Sequence, residues 1–147
     1  MANPAQVEIL SRGVEAWNAW RAEHPEIRPE LQGLRLVGAD LEAINLQRAN
    51  LEQADLTEAN LRSANLQFAY LKGVVFNGAK MWGVNLRGAC LNYADLRKTD
   101  LRRAVLTDAD AEEALFGGAN LVGADLRKAN LKGANLAGID LDSTIRD

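Results

Sequence analysis

The sequence predicts an all-β solenoid of square coils, preceded by a short helical segment. Three observations favour this class: a large apolar residue recurs at every fifth position, a small residue precedes most of them by two positions, and the phase holds for more than a hundred residues. A helix repeats its apolar face every 3.6 residues and a strand every 2, so neither explains a period of five.

The five-residue unit is clearest in QRANLEQADLTEANL, residues 47 to 61, which places Leu51, Leu56 and Leu61 at the large position. Asp or Asn usually stands just before the large residue. The two residues after it are mostly polar or glycine. Both apolar positions can face one interior if each unit turns the chain by about a right angle, so that four units close a coil and coils stack about 4.8 Å apart. Asp, Asn and Gly favour the tight turns that such corners require.

The large positions form the predicted core, and four of them are not leucine. The core residues that we expect inside the coils are Leu51, Leu56, Leu61, Phe76, Met81 and Phe116. The weakest unit contains Ala111, which stands where a leucine should fill the interior. Either the coil narrows there or a small void remains, at a cost of about 2–3 kcal/mol relative to leucine.

This pattern resembles the pentapeptide-repeat family, whose unit is A(D/N)LXX. The resemblance covers residues 34 to 141. It implies a right-handed, quadrilateral parallel β-helix of between five and six coils, with the central Leu or Phe inside. The opening GVEAWNAWR and the proline-bounded connector after it look like short cyanobacterial members of the family.

Residues 1 to 30 follow a different pattern and are predicted to cap the solenoid of residues 31 to 147. A single helix is expected from Pro4 to about Glu23, with Asn3 as its N-cap. The prolines at 25 and 29 indicate an extended connector into the first coil.

The two ends of the solenoid pose the same problem, because each exposes leucines and unpaired strand edges. We expect the N-terminal helix to cover the first coil with Trp17 and Trp20. The C-terminal stretch GIDLDSTIRD predicts no helix. Either Asp142, Ser143 and Arg146 blunt that edge or it pairs with a second copy, so the sequence predicts a monomer or a homodimer through a solenoid end.

Composition favours a cytoplasmic protein without catalytic chemistry. The net charge is −3, Cys90 is the only cysteine and His24 the only histidine. The start of the chain lacks the features of a signal peptide, and no apolar run approaches the roughly 18 residues of a membrane span. We expect no enzyme activity, no cofactor, no metal, no small-molecule substrate and no membrane contact. Cys90 is interpreted as a tolerated substitution, with thiol modification as the alternative.

The candidate partner-binding surface surrounds Trp82. Because residues twenty apart should stack, Arg62, Trp82 and Arg102 form one predicted column, with Arg103 in the column beside it. Guanidinium groups beside a tryptophan form cation–π contacts, and tryptophan is typical of binding hot spots. Local stabilisation of the surface and recognition of a partner both remain open interpretations.

Charge along the chain divides into a basic belt and an acidic belt. Residues 62 to 103 carry eight basic residues and two acids, and residues 104 to 126 carry five acids and no base. Solvated corners of alternating sign explain this pattern, and a patterned protein-binding face is the alternative.

The predicted function is a non-catalytic scaffold that binds an unidentified protein partner. The alternative that the resemblance implies is a DNA-mimicking modulator of a type II topoisomerase (DNA gyrase). It requires a strongly negative rod, whereas residues 31 to 141 contain thirteen basic and thirteen acidic residues. Nucleic-acid binding is disfavoured because acids interrupt the basic belt and only Tyr70, Trp82 and Tyr93 could stack with bases.

Overall fold

A stack of square coils forms most of the chain. The computed structural model describes all 147 residues. Two helices come first, α1 (Pro4–Ser11) and α2 (Val14–Glu23). From Glu30 onward, single-residue parallel bridges join residues twenty apart, beginning with Glu30 to Asn50 and ending with Asp125 to Ile145. The β-structure consists of isolated bridges because the chain bends every five residues. Five complete coils and most of a sixth result, which confirms the predicted β-solenoid.

Hydrogen bonds between coils and within corners explain the period of five. The amide of Leu51 donates to the carbonyl of Tyr70 in the next coil (2.9 Å), and the amide of Tyr70 donates back to Ala49 (2.9 Å). The corner closes when the amide of Ala54 donates to the carbonyl of Leu51 (2.9 Å). The second residue after each large one has positive φ in every unit from residue 33 to 138, as the third residue of a type II turn requires.

The Asp or Asn of each unit has a different role from the one predicted. It occupies the bridge position, before the bend, and not the bend itself. Wherever Asp or Asn stands there between residues 40 and 140, its Oδ1 accepts the amide hydrogen of the residue two positions later, at 3.0–3.3 Å. That amide has no backbone acceptor within the coil. The preference therefore reflects satisfaction of this donor.

The large and small positions line one continuous core of 36 buried residues. The six predicted core side chains are all at 0% exposure: Leu51, Leu56, Leu61, Phe76, Met81 and Phe116. Ala111 is also completely buried. It belongs to the column of Leu91 and Leu131, one coil before and one coil after it.

The prediction of one continuous N-terminal helix is wrong, although its start is right. Asn3 caps α1, since its Oδ1 accepts the amides of Ala5 (3.0 Å) and Gln6 (3.2 Å). The helix ends at Ser11, and Gly13 follows with φ of 105°, a conformation that ends a helix and suits glycine. A second helix then begins at Val14.

Helix α2 takes the place of a coil beneath residues 43 to 47. The indole Nε1 of Trp17, which is completely buried, donates to the carbonyl of Asn45 (2.7 Å). The Asn18 side chain accepts from the amide of Asn45 (2.8 Å) and donates to the carbonyl of Ala43 (3.1 Å). Trp20 lies differently: it is half-buried, and its ring packs against Trp17 at 5.1 Å between centroids.

Further polar contacts hold α1 and the connector in place. The amide of Glu30 donates to the Gln6 side chain (2.6 Å), and the Glu30 carbonyl accepts from the amide of Asn3 (2.7 Å). Arg21 is buried and donates to the carbonyls of His24 (3.2 Å) and Ile27 (2.5 Å). Its burial lowers the pKa of this guanidinium below the usual value.

The C-terminal end carries no helix. Leu131, Leu136 and Leu141 are only half-buried there, and the amides of Leu131 and Leu136 make no backbone hydrogen bond. Arg146 lies 3.6 Å from Asp142 beside this edge.

Candidate partner-binding surface

The solenoid presents four flat faces, and each outward column contains residues twenty apart. The face that carries Trp82, here called the Trp82 face, consists in its central coils of residues 60, 62 and 63 and the residues stacked above them in steps of twenty. Trp82 is 38% exposed, whereas Trp17 is completely buried. It is the only aromatic residue in the outward columns of this face.

The cation beside Trp82 is Arg103. Its guanidinium carbon lies 5.8 Å from the centroid of the indole ring. The expected stack of Arg62, Trp82 and Arg102 is wrong as a set of cation–π contacts, because neither of those arginines lies over the ring. Arg102 instead forms a two-pronged pair with Asp100, with Nε–Oδ1 at 2.8 Å and Nη2–Oδ2 at 2.7 Å.

A shallow depression borders Trp82 on the side toward the C-terminus. It is lined by Trp82, Arg102, Arg103, Val122, Gly123 and Ser143. Val122 is 49% exposed and stands in the column of Trp82, two coils further along. Apolar surface from Trp82 and Val122 is thus bordered by guanidinium groups, which is the composition of many protein-binding surfaces.

The pairing of Arg102 with Asp100 occurs twice more. Asp95 binds Arg97 and Asp125 binds Arg127 in the same geometry, with each arginine two residues after its aspartate. In all three pairs the hydrogen bonds from the arginine hold the pKa of the aspartate below its usual value. An Asp-X-Arg spacing across the bend brings the two groups together.

The predicted basic and acidic belts do not persist as belts of free charge. Of the eight basic residues between 62 and 103, Arg97 and Arg102 are paired within their own units. Arg87 lies 3.8 Å from Asp108, a residue of the predicted acidic belt. The winding distributes the remaining charges over four faces.

A second set of exposed aromatic residues lies around the face opposite Trp82. Arg28 stacks on Tyr70, with its guanidinium carbon 4.0 Å from the ring centroid, and Lys72 lies 6.0 Å from the Tyr93 ring. The three aromatics considered for base stacking therefore lie on opposite faces of the solenoid. These contacts have no signal in the sequence, because they join residues that are neither in one unit nor in one column.

Chemically reactive residues are sparse. Cys90 is half-buried, and its Sγ lies 2.7 Å from Oδ1 of Asn92. The imidazole of His24 packs on Trp20 at 5.6 Å between centroids. No group of three or more His, Cys, Asp or Glu side chains is arranged to hold a metal ion. Neither helix has the length and apolar character needed to cross a bilayer.

An apolar cleft of about 260 Å³ separates the helices from part of the first coil. Val7, Leu10 and Val14 line one wall, and Leu34 and Leu36 are on the other. The helices therefore cover residues 43 to 47 but leave the neighbouring sides of the first coil partly open.

The five-residue units, the parallel bridges between coils and the buried columns define a quadrilateral β-solenoid. A family model described as pentapeptide repeats matches residues 35–67, 69–108 and 104–142, in eight copies. The chain belongs to the pentapeptide-repeat family. No curated protein sequence matches it.

Solved structures to which this chain is similar come from cyanobacteria and a plant. The pentapeptide repeat protein Rfr23 from Cyanothece 51142 is 25% identical with a TM-score of 0.59, over 88% of this chain and 97% of that one. One from Nostoc PCC 7120 is 26% identical with a TM-score of 0.54, over 91% and 92%. One from the Arabidopsis thaliana thylakoid lumen is 30% identical over 76% and 67%, with a TM-score of 0.36.

Proposed function

We propose that this protein is a non-catalytic scaffold that binds a protein partner through the Trp82 face. The observation that carries the proposal is the exposure of Trp82 on a rigid face, with Arg103 beside its ring and the exposed Val122 across the same depression, two coils further along. Tryptophan in such a setting contributes large contact area at a low cost in conformational entropy.

The rigidity of the solenoid supports this function. Each inner coil is hydrogen-bonded to the coil before it and to the coil after it. The whole chain contains 96 hydrogen bonds between backbone groups. A surface that is already ordered loses little freedom when it binds. The partner remains unidentified. We further propose that the protein acts in the cytoplasm, a reducing compartment in which a single free thiol is stable.

The alternative role, a DNA-mimicking modulator of DNA gyrase, is less well supported. A mimic of DNA needs rows of unpaired negative charge along its length. Three of the outward aspartates here are paired with arginine, and the centre of the Trp82 face is positive.

Comparative capture from a cell lysate tests the proposal. Immobilised wild-type protein, Trp82→Ala and Tyr93→Ala are compared at equal loading, with thermal unfolding as a check of folding. Tyr93 is the matched control because it is an exposed aromatic, 59% accessible, on the opposite face. We expect a captured protein that Trp82→Ala loses and Tyr93→Ala retains. Identical capture by all three proteins would refute a role for the Trp82 face.

A further inference from the structure

The centre of the Trp82 face carries a local positive charge. Its outward columns between residues 60 and 123 contain four cations and one carboxylate, a net charge of +3. The cations are Arg62, Lys80, Arg102 and Arg103, and the carboxylate is Asp100. The chain as a whole has a net charge of −3, so this concentration is not a consequence of overall composition.

Most of that charge is free to interact with another molecule. The carboxylate of Asp100 forms an ion pair with Arg102. Arg62, Lys80 and Arg103 form no ion pair, and the guanidinium carbon of Arg103 lies 5.8 Å from the centroid of the Trp82 ring. We call Arg62, Lys80, Trp82, Arg103 and Val122 the Trp82 patch.

The positive region is short and bounded by acids. Asp40 and Glu42 stand in its columns toward the N-terminus, and Asp140 and Asp142 toward the C-terminus. Arg62 and Arg103 are about two coils apart, roughly 10 Å at the spacing of bridged strands. An extended chain covers that distance with about three residues.

We propose that the Trp82 patch binds a short acidic segment of the partner protein, about three or four residues long, with an apolar side chain among the acids. The carboxylates pair with Arg62, Lys80 and Arg103, and the apolar side chain enters the depression between Trp82 and Val122. This inference rests on the proposed function, because it names the chemistry of the partner at the same surface.

Charge and shape favour an acidic peptide segment over nucleic acid. A single-stranded nucleic acid is bound by successive aromatic platforms, and this face has only Trp82. A longer polyanion would extend from the positive centre onto the acidic ends. Like charges there disfavour binding and restrict the site to short segments.

Fluorescence anisotropy with defined probes tests the inference. The probes are a fluorescein-labelled peptide Glu-Asp-Leu-Glu-Asp, its neutral counterpart Gln-Asn-Leu-Gln-Asn and a labelled short oligothymidylate. We expect the acidic peptide to bind more tightly than either other probe. Its affinity should fall as salt rises, since the contacts are exposed ion pairs.

Two charge-removing variants locate the binding. Arg103→Gln should weaken the acidic peptide about threefold, and Arg62→Gln combined with it about tenfold, as expected for exposed charge pairs. Lys98→Gln is the matched control. Lys98 also has positive φ and also lies against a glycine one coil later, but on a neighbouring face. It should leave binding unchanged.

The outcomes separate this inference from the proposed function. Equal binding of the acidic and neutral peptides, equal weakening by Lys98→Gln, or tighter binding of the oligothymidylate would each overturn the acidic-segment inference. If Trp82→Ala still loses a captured protein in that case, the scaffold function stands and only the chemistry of its partner is wrong.

Discussion

The ring of Phe68 lies directly over Gly88, one coil further along the solenoid. A Cβ atom placed on Gly88 would be 2.5 Å from Cδ1 of that ring. Gly88 also has φ of 65°, which favours glycine, but side chains occupy the same φ at other corners, so the Phe68 ring is the specific constraint here.

Gly88→Ala should therefore destabilise the protein by about 1–3 kcal/mol beyond the backbone cost, because the ring must move. Gly83→Ala is the matched control: it has φ of 68°, but its added Cβ would be 3.8 Å from Ser63 Oγ. Urea unfolding of both variants measures the difference. Combining Gly88→Ala with Phe68→Ala should restore most of the excess loss, and an equal loss with Phe68 present or absent would contradict the contact.

The hydrogen bond from the Asp or Asn of each unit can be tested at Asn85. Its Oδ1 accepts the amide of Arg87 at 3.1 Å. Asn85→Ala removes that acceptor and should cost about 1 kcal/mol of unfolding free energy. Asn85→Asp keeps the acceptor and should be close to wild type. If the two variants unfold at the same urea concentration, the hydrogen bond does not explain the preference.

The Asp–Arg pairs predict a loss of stability in acid. The folded-state pKa of Asp95 lies below its ordinary value of 3.8, first because Arg97 donates hydrogen bonds to it. Ionised Asp95 therefore stabilises the fold above about pH 4, and this contribution disappears as the pH falls through the lowered pKa. Asp95→Asn should be less stable than wild type at pH 7, and the gap should narrow as the pH falls below about 4. Urea unfolding curves at a series of pH values measure this difference in stability. Glu112→Gln, which removes a carboxylate that forms no ion pair, should differ from wild type by the same amount at every pH.

The N-terminal cap depends on Asn18 as well as on Trp17. Asn18→Ala leaves the amide of Asn45 and the carbonyl of Ala43 without these side-chain partners, at a cost of about 1–3 kcal/mol. Glu15→Ala, on the exposed side of the same helix, should change the stability little.

Deletion of residues 1 to 24 should lower the stability of the protein and promote its association. A deleted protein that stays monomeric by light scattering and equally stable would refute the capping role.

Ala111→Leu should leave stability unchanged or raise it, since the other repeats place a large side chain at this point. Thermal unfolding compares it with Leu91→Ala in the same column, which should cost about 2–5 kcal/mol. A clear destabilisation by the added methylene groups would indicate that the coil has already closed around Ala111.

Sequence predicted the parts of this molecule that repeat. The period places Leu51, Phe76 and Phe116 inside because only one winding puts every fifth residue on a common interior. Departures from the repeat were harder to predict. Gly13 divides the helical segment although the apolar pattern continues through it.

The contacts of the candidate site could also be predicted only in part from the sequence. Trp82 stands out in the sequence. Which arginine contacts its ring depends on whether a nearby carboxylate binds that arginine instead. Arg102 stands one coil after Trp82 in the same column, but its guanidinium forms two charged hydrogen bonds to Asp100, two residues back in the chain. Asn18 carries no periodic signal at all. Its role follows only from the unpaired edge of the first coil.

Binding of a protein partner through Trp82 is tested most directly by measuring its affinity. Calorimetric titration of the purified captured protein with wild type, Trp82→Ala and Tyr93→Ala measures it. We expect Trp82→Ala to weaken binding by at least about 2 kcal/mol, or roughly thirtyfold, with Tyr93→Ala unchanged. Equal affinity for wild type and Trp82→Ala would contradict the account.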